Sequence, residues 1–391
     1  MTQAVVGTQT CWNIWEDRGF LIHPDPVAKL SSSGIDLPLE RDMLEHIESI
    51  AADLPELLAS GRVRDVLDAL PVYDMRGLNG ESVPFHAVER LMQIYSYFAS
   101  SFVYATNQPA ANRIPAGVAV PLVQLSHLVE RPPILSYSGY VLNNWARVDP
   151  DGGIVVDNLR LTQKFLGNKD EAWFILIHVD IEARAAAALL GIQAAAAAAV
   201  RGDVDGVVNA LGQVYGSVQR MMSTFKRMPE NCDSNVYYFN VRPYIFGFNE
   251  VVYEGVDEYG GTPQSFRGQT GAQSSIVPAL VAAFGLEHER TGLMHHLEIM
   301  RDYMPKPHRE FILHMRQAGI RDFVLSHAEN RALTDVYNEC LRAVLEFRKL
   351  HYHYATVYIF EKVANPIGTG GTVFMDWLGK LIEETEAQYI K

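Results

Sequence analysis

Apolar residues recur at three- and four-residue steps over most of the chain, the period of an amphipathic helix. Met43, Leu44, Ile47 and Ile50 predict a helix from Arg41 to Ala52. Pro55 is expected to interrupt it, because proline lacks an N–H and clashes with the preceding turn. Val63, Val66, Leu67 and Leu70 predict a second, short helix. Leu91, Met92, Tyr95, Phe98, Phe102 and Val103 predict a longer one from Phe85 to Tyr104. The proline-rich stretch from Pro109 to Pro121 reads as a connection. Phe174 to Val200 predicts one long buried helix, rich in Ala on every face. A clean stripe follows from Val207 to Phe225, then helices from Ser275 to Tyr303, broken near Gly285, and from Ala332 to Val363. Period-2 alternation is scarce, and Glu250 to Tyr253 is the fair strand candidate.

The first 30 or so residues, with Trp12 and Trp15, show no period and read as an irregular arm. The segment ARVDPDGGIVVDN, Ala146 to Asn158, combines Asp-Pro and Asp-Gly-Gly turn signals. The expected fold is therefore all-α, with a smaller N-terminal domain over residues 1–150 and a larger helical domain over residues 159–391.

Composition narrows the function classes. A chain of 391 residues with 48% hydrophobic and 20% charged residues has the make-up of a folded protein with a large core. The net charge of −13 argues against a nucleic-acid partner and against an anionic membrane surface. No apolar run reaches the roughly 18–20 residues of a membrane span. The nearest, Ala183 to Val200, is interrupted by Arg184 and Gln193. The first residues lack the charged and apolar regions of a signal peptide. Three scattered cysteines, Cys11, Cys232 and Cys340, offer no C-x-x-C pair and point to a reducing compartment, so a cytoplasmic protein is expected.

Common catalytic motifs are missing: no P-loop, no G-x-S-x-G and no H-E-x-x-H. GTGGT, Gly368 to Thr372, follows a helix and carries no Lys, so it reads as a mobile loop rather than a phosphate cradle. His295 and His296 diverge by about 100° on a helix and read as surface residues. His351 and His353 diverge by about 200° on a helix, so one of them faces inward. His178 lies in the apolar run AWFILIHVDIE, either as a core histidine bonded to a carbonyl or as a site residue. Arg242, inside NVYYFNVRPYIFG, needs an anionic partner or several acceptors, from the core or from a ligand. One inward histidine with apolar lining suits a haem held by a single imidazole.

Several segments occur together in order: RPPILSYSGYVLNNW (131–145), WFILIHVDIEA (173–183), VRPYIFG (241–247), FRGQTGAQSS (266–275), RDYMPKPHREF (301–311), the His351 helix and GTGGT. From about Leu37 to the last residue the chain resembles the indoleamine 2,3-dioxygenase family. The resemblance implies a helical haem enzyme whose smaller domain covers the distal side of a noncovalent haem b. It implies cleavage of the indole 2,3-bond of L-tryptophan, or a related indoleamine, by O2. The product would be N-formylkynurenine, the first step of the kynurenine pathway. An electron donor would keep the iron ferrous.

Residue by residue, the resemblance makes His351 the iron ligand and places Arg348 near a haem propionate. It pairs Arg242 with the substrate carboxylate and lines the indole pocket with Tyr137, Tyr140, Val141, Phe174, Tyr237 and Ile245. Thr270 and Gly271 match a loop over the haem edge, and Thr369 a loop that closes on substrate. Animal members have Ser where His178 aligns, Cys at Tyr140 and Phe at Tyr237. A distal His is a trait of the related tryptophan 2,3-dioxygenases, where it hydrogen-bonds the indole N–H. Val281 stands where some members place an Asp that pairs with the propionate arginine. Two other readings stay open: a haem oxygenase acting on a different indole, and a haem-binding sensor without turnover.

Overall fold

The structure is a computed structural model that describes residues 12–78, 83–289, 292–363, 368–369 and 375–391. It is mainly helical, as the period of the sequence predicts. The stripe ending at Phe225 forms the helix Val204–Phe225, which buries Val207, Leu211, Val214, Val218 and Met221 along one face. Asp203 starts it by accepting a hydrogen bond from Gly206 N at 2.8 Å. This helix packs against three others: Lys169–Arg184, Ala186–Val200 and Arg331–Tyr358. Together they form the core of the C-terminal half.

In the N-terminal half, Phe85–Val103 is buried along almost its whole length. Arg41–Ala59, Val63–Asp68 and Ala116–Val129 pack around it. Its Glu89 accepts two hydrogen bonds from Arg131, at 2.8 and 2.7 Å, and a third from Asn143 at 3.1 Å. Gln93 donates to Gly139 O at 2.9 Å. These buried polar contacts pin the segment 138–143, a feature that matters for the site. Short strands join the halves: Arg113–Ile114 pairs in parallel with Phe248–Tyr253, which also pairs antiparallel with Gln264–Phe266. The strand expected from Glu250 to Tyr253 is thus present, two residues longer.

Several expectations need correction. Pro55 does not end the first helix, which runs from Arg41 to Ala59. Proline cannot donate to Ala51 O, and Gln163 Nε2 donates to that carbonyl instead, at 2.8 Å. Pro121 likewise sits inside the helix Ala116–Val129, so the proline-rich stretch is a helix in its second part. The long helix predicted from Phe174 to Val200 starts earlier, at Lys169, and breaks at Ala185. At the break the arm comes close: a Cβ on Gly19 would lie 2.7 Å from Glu182 O. By length and composition Lys169–Val200 passes for a membrane span, although Arg184 and Gln193 interrupt its apolar part as the sequence shows. Half of its apolar window is buried inside this fold.

Residues Ala146–Arg147 and Leu159–Arg160 form an antiparallel pair, so the expected linker is a hairpin. The break expected near Gly285 in the stretch Ser275 to Tyr303 is present: Ile276–Ala283 and Gly292–Arg301 are separate helices, and Gly285 has φ +59°. His296 is not a surface residue: it is buried beside the ring of Trp377, 5.9 Å away. Lys306–Met315, Ile320–Ser326 and Met375–Glu386 are helices that the sequence pattern did not single out.

Candidate functional site

The site grows from one face of Arg331–Tyr358. Phe347, His351, Tyr354 and Tyr358 follow each other at three- and four-residue steps and so share that face. Phe225, at the end of its own helix, meets three of them: Phe347 at 5.4 Å, Tyr354 at 5.0 Å and His351 at 6.5 Å between ring centres. His353 is exposed, and its ring contact is the adjacent Tyr354. His351 is also exposed, but it is the member of the pair whose ring meets Phe225.

The His351 ring packs beside Phe225 on one side. Burial, with the nearby His178, pulls its pKa down to about 4. Yet solvent reaches its surface. His351 is thus crowded by neighbouring groups on one side and open to solvent on another. Among the described residues no three His, Cys, Asp or Glu side chains converge to hold a metal ion. A haem brings four ligand nitrogens of its own and needs one imidazole, a chemistry that one histidine such as His351 suits.

Opposite stands the helix Lys169–Arg184. Asn168 caps it, accepting from Glu171 N at 2.8 Å. The Glu171 carboxylate accepts from the N–H groups of Phe165, Leu166 and Gly167 at 2.7, 2.9 and 2.9 Å, which fixes the approach to the helix. His178 Nδ1 lies 2.7 Å from Phe174 O. A carbonyl only accepts, so Nδ1 carries the proton, and burial lowers the pKa and keeps the ring neutral. Nε2 is then left as an acceptor. His178 is half-buried, with Phe174 at 4.7 Å, Phe225 at 6.2 Å and Tyr137 at 6.3 Å around it. The carbonyl bond expected of a core histidine is present.

Two π-helical turns supply the walls, Ser138–Leu142 and Tyr237–Val241. A π turn inserts a residue and re-aims the side chains around it, and such turns gather at functional sites. The first carries Tyr140 and Val141, both fully buried. The Tyr140 hydroxyl has no hydrogen-bond partner among the described residues. The second carries Tyr237, stacked on Phe174 at 4.3 Å. Arg242 and Ile245 follow in a 3-10 turn, both buried. The Arg242 guanidinium lies 5.0 Å from the Tyr238 ring centre and 4.6 Å from that of Phe246, and burial lowers its pKa.

The loop bearing Thr270 and Gly271 crosses directly beside Ile245–Gly247. Glycine is required there, since a Cβ on Gly247 would lie 2.5 Å from Phe266 O. Gln273 Oε1 accepts from Tyr137 N at 2.9 Å, tying the loop to the first π turn. Of GTGGT, Gly368 and Thr369 are described and residues 370–372 lie outside the described residues. Thr369 is buried on this crossing: its hydroxyl donates to Gln269 O at 2.5 Å, and its carbonyl accepts from Gly247 N at 3.3 Å. Arg348 points to the C-terminal helix, donating to Leu381 O at 2.9 Å.

Glu182 was not singled out in the sequence, although it lies one turn after His178 on the same helix. It is fully buried, accepts from the Ser274 hydroxyl at 2.7 Å, and interacts with the Tyr137 hydroxyl. Burial raises its pKa from 4.5 to about 7. The folded protein thus keeps a proton that the unfolded chain releases near pH 4.5. The stability this gives is full below pH 4.5 and is lost as pH rises to about 7, a change of about 3 kcal/mol. Denaturant unfolding at pH 4.5 and pH 7.5 should show that slope, and Glu182→Gln should flatten it. A slope equal in both proteins would mean that Glu182 titrates normally.

A helical protein that brings two histidines, His351 and His178, against the same Phe225 ring among further aromatic side chains has residues that suit a haem held by one imidazole. The comparisons with known proteins agree. Residues 9–367 match the family model of indoleamine 2,3-dioxygenase. Indoleamine 2,3-dioxygenase 1 of Mus musculus is 30% identical, over 96% of this chain and 94% of that protein. Indoleamine 2,3-dioxygenase of Saccharomyces cerevisiae is 30% identical, over 95% and 91%. A 6-hydroxytryptophan 2,3-dioxygenase of Fusarium equiseti is 25% identical, over 82% and 80%. The chain belongs to the indoleamine 2,3-dioxygenase family. It is a haem-dependent dioxygenase, an oxidoreductase that acts on an indole with O2.

Proposed function

We propose that the enzyme cleaves the 2,3-bond of L-tryptophan to give N-formylkynurenine. The observation that carries this reading is the buried guanidinium of Arg242, within 5.0 Å of two ring centres and a few residues from Tyr237. A fork of that kind matches a carboxylate. The aromatic space of Tyr137, Phe174 and Tyr237 suits an indole ring. His351 would hold the haem, with Arg348 and the Thr270–Gly271 loop at its edge. The haem, when bound, supplies the one-electron and O2 chemistry. The residues bind the indole, orient it and exclude water. An electron donor keeps the iron ferrous. We place the smaller covering domain before the hairpin at residues 146–160 and the haem domain after it, and the protein in the cytoplasm, where its buried free thiols Cys232 and Cys340 would stay reduced.

His178 Nε2 accepts the indole N–H in this reading. One such bond contributes about 0.5–1.5 kcal/mol, so His178→Ala should lower kcat/KM about 2- to 13-fold. An N-methylated tryptophan, which has no N–H, should show no such loss. Unchanged kinetics with tryptophan itself would return His178 to the core.

A second reading has its own observation. The Tyr140 hydroxyl, buried without a partner among the described residues, favours an indole with a polar ring substituent. One relative is named for 6-hydroxytryptophan. Turnover of L-tryptophan and 6-hydroxytryptophan, with products identified by mass, separates the readings. Preference for the hydroxylated substrate overturns the first. A haem spectrum without O2 uptake on any indole overturns both.

A further inference from the structure

A buried guanidinium without a carboxylate against it is costly. Arg348 is such a group: its hydrogen-bond partners among the described residues are Leu381 O at 2.9 Å, the Thr385 hydroxyl, and His288 Nε2 at 3.3 Å. Burial pulls its pKa down to about 10. Val281, in the helix Ile276–Ala283, brings no charge.

A carboxylate is nonetheless connected to it. His288 Nδ1 lies 2.6 Å from Glu384 Oε2, with the His288 side chain 5% exposed and that of Glu384 18%. The bonding fixes the proton. Arginine only donates, so His288 Nε2 accepts and Nδ1 bears the hydrogen, which it donates to Glu384. The result is a directed line, Arg348 to His288 to Glu384, with a neutral imidazole between a cation and an anion. Further bonds hold the line in place. Glu289 N donates to Glu384 Oε1 at 3.3 Å, Glu287 N donates to Gln388 Oε1 at 2.8 Å, and Gln388 Nε2 donates to Glu287 O at 2.8 Å.

Arg348 stands three residues before His351 on one helix, so the two share a side of it. The inference rests on the reading of His351 as haem ligand. We infer that Glu384, acting through His288, offsets the charge that Arg348 presents to a haem on His351, and so sets how readily that haem is reduced. Glu384 and His288 are positioning residues; neither meets substrate.

The direction follows from charge. A negative charge coupled to the site opposes addition of an electron to ferric haem. Glu384→Gln keeps the shape and removes the charge. It should raise the equilibrium constant for one-electron reduction about three- to tenfold. At about 59 mV per tenfold, the midpoint potential rises by about 28–59 mV. The measurement is a spectroelectrochemical titration of the haem-loaded full chain. Glu383→Gln is the control: it removes an equal charge from the same helix, at an exposed position. It should shift the potential by much less. In a His288→Ala background, Glu384→Gln should lose most of its effect, as coupled residues do in a double-mutant cycle. Equal shifts from positions 383 and 384, or none from either, overturn the inference. So does a loss of thermal stability in Glu384→Gln with the potential unmoved, which is the mark of a purely structural latch. Failure of the wild-type chain to bind haem would instead overturn the reading of His351.

Discussion

His351→Ala should give a folded protein that does not retain haem. The side chain is exposed to solvent, so truncation removes little packing. No hydrogen bond to its nitrogens is found among the described residues, so no partner is left unsatisfied within them. Truncation should remove the one protein bond to the iron. Loss of residues that merely support a metal ligand weakens binding about 10- to 100-fold. Losing the ligand itself should exceed that. Far-ultraviolet circular dichroism should stay unchanged, while the Soret band of the purified protein disappears. Added imidazole, filling the vacated position, should restore part of it. A variant that keeps the wild-type ferrous and ferric spectra would sink the assignment and turn attention to His178 on the opposite wall. His178→Ala, by contrast, should retain haem, because that ring is committed through Nδ1 to Phe174 O.

The sequence made the fold class legible through period alone, because the burial of one helix face leaves a three- and four-residue trace. What it concealed depends on distant partners. Pro55 reads as a stop until Gln163, over a hundred residues away, serves the carbonyl that proline leaves open. His296 reads as surface until Trp377 covers it. The interruption at Ala185 has no Gly or Pro to announce it; the arm residue Gly19 packs there. The site shows the same split. Helical divergence alone said that one of His351 and His353 faces inward, and the family resemblance said which. Phe225 was visible only as the last member of a core stripe, although its ring stands between the two histidines. Glu182 had a usable signal, a carboxylate one turn from His178 in an apolar run. Its Ser274 contact links segments 92 residues apart. The π turns that carry Tyr140 and Tyr237 have no periodic signature, so their geometry could not be read in advance.

Arg242→Ala should separate recognition of the substrate from the chemistry. The guanidinium is held in place before any ligand arrives: its backbone is fixed in a 3-10 turn, and its plane is flanked by Tyr238 and Phe246. Little rotamer freedom is then lost on binding, so the pair with a carboxylate keeps most of its charge-assisted strength. Removing it costs about 1.5–3 kcal/mol, or about 13- to 150-fold in kcat/KM for L-tryptophan. Because the carboxylate is bound in the ground state as much as later, the loss should fall mainly on KM. Haem content and the ferrous spectrum should not change, since His351 lies on a different element. Tryptamine, which keeps the indole and the amine but has no carboxylate, supplies the decisive comparison. If Arg242 pairs with the substrate carboxylate, wild type and Arg242→Ala should turn over tryptamine with similar kcat/KM. If the variant loses as much on tryptamine as on tryptophan, the arginine serves the wall between its two rings, and the carboxylate is held elsewhere. Arg242→Lys sharpens the distinction: a point charge restores part of the carboxylate attraction, but not the planar stacking on Tyr238 and Phe246. Partial recovery on tryptophan, with no change on tryptamine, is the expected pattern.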